Sequence, residues 1–442
     1  MDFLKDLALP QSMSHISLMH FVLIMVFLIL VPYLGILTGS SIYSFYFDFR
    51  SRKKSDKNDF RLAKEILDFP FMNLYLPIVF GIIPFFTIIL IYAQLLQGTG
   101  SISIGLMFFA WLVFLISITL LYFYKQKLNL KFIFDSVESK SAEFKEFSDA
   151  NFHSYKKFGI WGIILLLFSL FIISAGLFNS IAATNWENVT TIFHTFIQFE
   201  VWIKFILILT LLMVISGSAI LYFIFYNNKE YKENFEKLAY REFFLKRTMI
   251  FILFLPLLIF VEVLILPKES LSIAVFSSVV LGILVLFLVA HFYYAMIKKS
   301  NSKFAAAVFY ATIAIVCFLM IKEAYTLRNA TAGESVKLAA HFQKYEEDLK
   351  SKLGINLVVL SGEDIFIGKC SACHKFDINF TGPAYNNVLP KYLENKGALI
   401  KFILNPTKID PAFPPMPAQG LKPQEAESVT DYLLTTYKNQ KK

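Results

Sequence analysis

Eight apolar runs of at least about 18 residues punctuate the first three quarters of the chain, each long enough to cross a hydrocarbon core of ~30 Å as a helix. They lie near 17–39, 71–96, 102–124, 157–180, 201–226, 247–266, 271–297 and 303–321. Away from water, such a segment has to satisfy its own backbone polar groups, and a single continuous segment does that as a helix. A few runs exceed the core thickness, which implies tilt or extension into the interface. Composition points the same way: 56% of the 442 residues are hydrophobic and 49 are Phe, a balance foreign to soluble domains. The predicted fold class is all-α: a polytopic membrane helix bundle of about eight spans, followed by a small all-α domain.

The net charge of +9 is distributed in alternate loops. Arg50, Arg52, Lys53, Lys54, Lys57, Arg61 and Lys64 follow the first run; Lys125, Lys127, Lys131, Lys140, Lys145, Lys156 and Lys157 lie between the third and fourth. Lys229, Lys232, Lys237, Arg241, Lys246 and Arg247 separate the fifth from the sixth, and Lys298, Lys299 and Lys303 the seventh from the eighth. The positive-inside rule makes these loops cytoplasmic and places both termini, with residues 322–442, outside. Asp2, Lys5 and Asp6 lack the basic start of a secretory signal peptide, so the first run is expected to stay as a span. Trp161 and Trp202 flank apolar runs as interfacial anchors do. The basic balance therefore speaks for membrane lipid as a partner and not for nucleic acid.

Beyond the last run stands Cys370-Ser371-Ala372-Cys373-His374. C-x-x-C-H is the pattern of covalent c-type haem attachment: two thiols add to the vinyl groups and the adjacent imidazole reaches the iron. Attachment of this kind occurs on the oxidising side of a membrane, in agreement with the charge rule. Half of a zinc site is the competing reading, but such a site needs two more Cys or His ligands. The third of the 3 Cys, Cys317, lies in an apolar run, and the nearest His, His341, lies in a charged helix well upstream. No phosphate-cradling glycine loop and no G-x-S-x-G elbow supports hydrolase or transferase chemistry.

Residues 361–437 resemble a class I monohaem cytochrome c. Ser361 with Asp364 reads as a helix cap, and the helix Gly362 to Lys369 delivers Cys370. Thr381-Gly382-Pro383 and Phe413-Pro414-Pro415-Met416-Pro417-Ala418 follow. The resemblance implies His374 and Met416 as axial ligands of the haem c iron, Cys370 and Cys373 as its thioether anchors, and the Pro383 carbonyl as acceptor of the imidazole N–H. It also implies that Tyr432, on a closing helix from Pro423 to Tyr437, packs near Gly362 and Phe366. Thioether ligation favours Fe(II) and raises the potential. Prolines on both sides of Met416 stiffen its loop.

A small cytochrome needs one span as anchor, so eight imply a further task. Ser17-Leu18-Met19-His20-Phe21, the stretch from Gly105-Leu106-Met107-Phe108-Phe109 to Tyr124-Lys125, Leu177-Phe178, and Val201-Trp202-Ile203-Lys204-Phe205 make roughly residues 15–250 similar to subunit I of the cytochrome bd oxygen reductases. That resemblance implies His20 as ligand of a b-type haem; a hydrogen-bonded core histidine is the other reading. The chain departs from the family at Leu207, where a second haem ligand is expected, in having no Glu in spans two and three, and in lacking the long outer quinol-binding loop. His15, His194 and His291 are weaker ligand candidates. Glu262, at membrane depth, is either a proton or haem-propionate contact or an interhelical partner of Lys204. Cys317 reads as a small packing residue.

The expected organisation is a membrane bundle over 1–327, a connector over 328–360 containing a helix from Ser335 to Lys352 stopped by Gly354, and a cytochrome c domain over 361–442. The expected function is that of a multi-pass c-type cytochrome of a bacterial inner membrane, with haem c in the periplasm. It would transfer electrons as an oxidoreductase subunit of a respiratory, cytochrome bd-like complex, with other subunits and a soluble or membrane redox partner. The alternative is an anchored electron carrier whose bundle binds no haem and docks a partner enzyme.

Overall fold

The computed structural model describes residues 11–136, 141–186, 192–226, 235–299, 303–353 and 361–441. These are helices joined by turns, with no strand among the described residues. The chain separates into two compact units, Met1–Phe342 and Gln343–Lys442.

The first unit contains α1 (Met13–Lys54), α2 (Lys57–Asp68), α3 (Ile83–Leu95), α4 (Ser103–Ser136), α5 (Ala142–Ile181), α6 (Ile192–Ile197), α7 (Phe199–Ile220), α8 (Phe235–Ile265), α9 (Ile273–Lys299) and α10 (Ala305–Ala330). Among the described residues eight segments are long and apolar enough to cross a membrane, the second being α3 together with the preceding Pro77–Ile82, and they match the eight predicted runs. This is a multi-pass membrane protein. Wide π turns occupy Pro77–Ile82 ahead of α3 and Leu221–Tyr226 after α7.

Helix α1 has 42 residues, or about 63 Å at 1.5 Å per residue. The Ser12 side chain caps its start by accepting from the His15 N–H, and Ser55 ends it in the left-handed region at φ 55°. Arg52, Lys53 and Lys54 occupy the last turn, where cations complement the helix dipole. The basic residues after the first run thus sit on extensions of α1 and on α2 rather than in a loop. Polar helix surface is stable once it leaves the apolar layer, and i,i+4 pairs such as Arg61–Glu65 at 3.0 Å support it. At this end Arg50 grips Asp59 through two hydrogen bonds, and the Tyr240 hydroxyl donates to Asp59 Oδ1 at 2.8 Å.

Helix α1 is central, packing on α2, α3, α7 and α10. Glycines set its distance to α7. A Cβ at Gly35 would lie 2.6 Å from Ile215 Cγ2, and one at Gly39 would overlap the Ser216 side chain. Between membrane helices, where hydrophobic attraction is weak, small residues permit the backbone approach that dispersion needs.

Helix α11 (Ala332–Lys352) begins one residue after α10. The connector helix expected from Ser335 thus starts three residues earlier, and Gly354 lies outside the described residues. Thr331, between the two helices, bonds its hydroxyl back to the Leu327 carbonyl at 2.9 Å.

The second unit is built from α12 (Gly362–Ile365), α13 (Tyr385–Val388), α14 (Lys396–Leu404) and α15 (Pro423–Gln440). The Ser361/Asp364 capping box is formed at the start of α12. The expected single helix to Lys369 is instead one α turn followed by a π turn over Phe366–Cys370, closed by the Ser371 N–H on the Phe366 carbonyl at 2.8 Å. The wider turn rotates the residues after it relative to an α-helix, and Cys370 ends buried. Gly362 lies against α15: a Cβ there would overlap the Ser428 carbonyl and sit 2.6 Å from Tyr432 Cβ. Phe366 and Tyr432 rings meet at 5.5 Å.

Replacing Gly39 by Leu should destabilise the detergent-solubilised protein by roughly 1–3 kcal/mol through overpacking, read as a lower melting temperature. Gly105→Leu is the control, because a Cβ at Gly105 meets nothing within 4 Å; equal effects of the two would refute the α1–α7 contact.

Candidate functional site

The π turn ends at Cys370, and the chain then tightens. The Cys370 carbonyl accepts from the N–H groups of Cys373 at 3.1 Å and His374 at 3.0 Å. This holds both thiols and the imidazole on one compact loop. The Gly382 N–H donates to the Cys373 carbonyl at 2.8 Å, and the Tyr385 N–H to Lys375 O at 3.0 Å, so Thr381-Gly382-Pro383 folds back over the motif. His374 Nδ1 lies 3.0 Å from the Pro383 carbonyl. That contact fixes the ring and, with Nδ1 as donor, leaves Nε2 with its lone pair for a metal.

Gly382 makes the seat. A Cβ there would overlap Cε1 of His374 and lie 2.7 Å from Nδ1. The imidazole is also supported by Tyr385, stacked at 5.0 Å and 26°. Tyr385 was not legible as a site residue: it contacts His374 through the fold, and no local pattern marks it. Burial pushes the Cys370 thiol up from its ordinary value, with the Tyr385 hydroxyl beside it acting in the opposite direction.

Cys370, Cys373, His374, Pro383 and Met416 all line one cavity of about 230 Å³. Its far wall is the 407–421 loop, tied to the motif by the Lys369 ammonium on the Gln419 carbonyl at 3.2 Å. Leu389, Leu399, Ile403 and Leu433 supply an apolar floor. Two thiols, one imidazole and one thioether around an apolar slot match the donor set of a covalently held haem with His/Met axial ligation. The residues present therefore fit haem c.

The bundle places its candidates differently. His20 is 7% exposed, and neither ring nitrogen has a hydrogen-bond partner among the described residues. His15, His194 and His291 are exposed. Leu207 is buried and lines a separate apolar cavity of about 70 Å³. Glu262 does meet Lys204, at 2.6 Å, but not alone: Lys322 reaches its other oxygen at 2.6 Å, and Glu323 engages both lysines. Lys322 and Glu323 escaped the sequence reading because the eighth run was ended at 321, whereas α10 continues to Ala330. Cys317 is half-buried.

A cytochrome c family model matches residues 359–437. The region is 32% identical over 80 residues to cytochrome c-551 of Pseudomonas denitrificans, an alignment covering 96% of that protein and 17% of this chain. No solved structure matches the chain significantly.

Gly382→Ala should displace the His374 ring from Pro383 and destabilise the second unit by roughly 1–3 kcal/mol through overpacking. Chemical denaturation followed by circular dichroism checks it, and an unchanged midpoint would show that the ring is not held as described.

Proposed function

Since the chain belongs to the cytochrome c family through its C-terminal domain, we propose that it works as a membrane-bound electron-transfer subunit of a respiratory, cytochrome bd-like oxidoreductase complex, with that domain on the periplasmic side. The observation that carries the electron-transfer reading is the convergence of Cys370, Cys373, His374 and Met416 on one cavity, with His374 seated on Pro383. Bound haem c supplies a one-electron iron couple. Cys370 and Cys373 would anchor it covalently, which would prevent its loss during repeated turnover. His374, held by Pro383 and Tyr385, would offer Nε2 to the iron in one orientation. Met416, between Pro415 and Pro417, stays within reach as a weak ligand. Side chains held in place in this way would let a bound iron exchange an electron with little rearrangement.

The basic ends of two spans support the periplasmic placement through the positive-inside rule, since Arg52, Lys53 and Lys54 close α1 and Lys298 and Lys299 close α9. For the bundle, His20 is proposed as ligand to a b-type haem. It is buried with both nitrogens unpaired, and burial without a partner costs a polar group roughly 1–3 kcal/mol. A second reading, an anchored carrier whose bundle docks a partner enzyme, is favoured by the exposure of His15, His194 and His291, which leaves His20 without a buried histidine opposite it among the described residues.

Alkaline pyridine spectra of the purified protein decide between these readings. One haem c per chain that survives acid–acetone extraction is expected, and is lost on Cys370→Ala with Cys373→Ala. An extractable haem b that disappears in His20→Ala supports the bd-like bundle; haem c alone, unchanged in His20→Ala, supports the anchored carrier. Absence of covalent haem would refute electron transfer by this domain.

A further inference from the structure

Inside the bundle, Lys204 on α7, Glu262 on α8, and Lys322 and Glu323 on α10 form a closed ring of two cations and two anions. Three of the side chains are 4% exposed or less, and the ring stands against the apolar cavity that Leu207 lines. Buried ion pairs are weak devices for stability, because apolar side chains of similar volume often do as well. Four charges kept at membrane depth therefore call for another explanation.

The ring is asymmetric. Glu262 offers one oxygen to each lysine, Oε1 to Lys204 and Oε2 to Lys322. Glu323 receives both lysines on the same oxygen, Oε1, so its Oε2 carries neither. The Glu323 side chain is also 12% exposed against 2% for Glu262. One carboxylate thus accepts on both oxygens, and the other has an oxygen that accepts from neither lysine. The adjoining cavity of about 70 Å³ exceeds the 10–15 Å³ that one water requires, and all four ring residues are among those that line it.

We propose that this quartet is a proton-exchange site within the membrane domain, entered at Glu323. Water delivers a proton to Glu323 Oε2, the carboxylate becomes a carboxylic acid, and the quartet passes from neutral to one net positive charge; release to water reverses the step. Neither lysine is stranded, because Lys204 and Lys322 both remain on Glu262. The other titratable neighbours are few. Tyr92 on α3 is fully buried within electrostatic range of Glu323, and Arg328, further along α10, faces His20. The side chains that α1 and α5 bring to the cavity are apolar, among them Phe27, Leu30, Leu170 and Leu177.

Infrared difference spectroscopy on the full-length protein in lipid nanodiscs, stepped from alkaline to acidic pH, tests this. The expected signal is a narrow carboxylic C=O band above that of solvated acids, shifted in heavy water, present in wild type but lost in Glu323→Gln. Helical circular dichroism of each variant establishes folding, and Glu323→Asp, which keeps the acid, should restore a band. No such band in wild type, or its persistence in folded Glu323→Gln, would overturn the proposal.

Discussion

Once water is excluded, each polar group must find its partner within the protein, and the bundle is organised around that requirement. Backbone groups are satisfied along the helices, which is why the apolar runs become long rods rather than strands. Side-chain charges follow the same rule. Where they lie in the apolar layer they appear as the Lys204–Glu262–Lys322–Glu323 ring, and where α1 emerges they form the Arg50–Asp59–Tyr240 contact. Gly35 and Gly39 let α1 come close enough to α7 for dispersion to hold what hydrophobic attraction cannot.

The second unit solves a different problem: holding an imidazole still. It uses no large core for this. A missing side chain at Gly382 gives the ring room, the Pro383 carbonyl sets its rotation, and Tyr385 stacks on it. Gly362 has the corresponding role a layer away, bringing α12 against α15 so that Phe366 and Tyr432 meet. The geometry at the metal-binding side chains is therefore inherited from backbone approach.

Features written in short stretches of sequence were legible. The eight spans follow from run length, the Ser361/Asp364 cap from three-residue spacing, and the C-x-x-C-H loop from its own pattern. Features made by distant residues were not. Tyr385 reaches His374 only after the chain folds back. The π turn at Phe366–Cys370 depends on a choice between i→i+4 and i→i+5 bonding that residue type does not dictate. Ending the eighth span at 321 hid Lys322 and Glu323, since a charged pair normally marks the edge of an apolar layer, and here its partners on α7 and α8 draw it inside.

The position of the four charges along the chain bears on how such a protein enters a bilayer during synthesis. Lys204 and Glu262 belong to consecutive spans, so the hairpin of α7 and α8 brings one charge of each sign. Lys322 and Glu323 are neighbours on α10 and arrive together. Each insertion event can thus carry a compensated pair, and the ring closes by lateral docking of two units that are already neutral. A translocating segment need never bear a solitary ion into lipid.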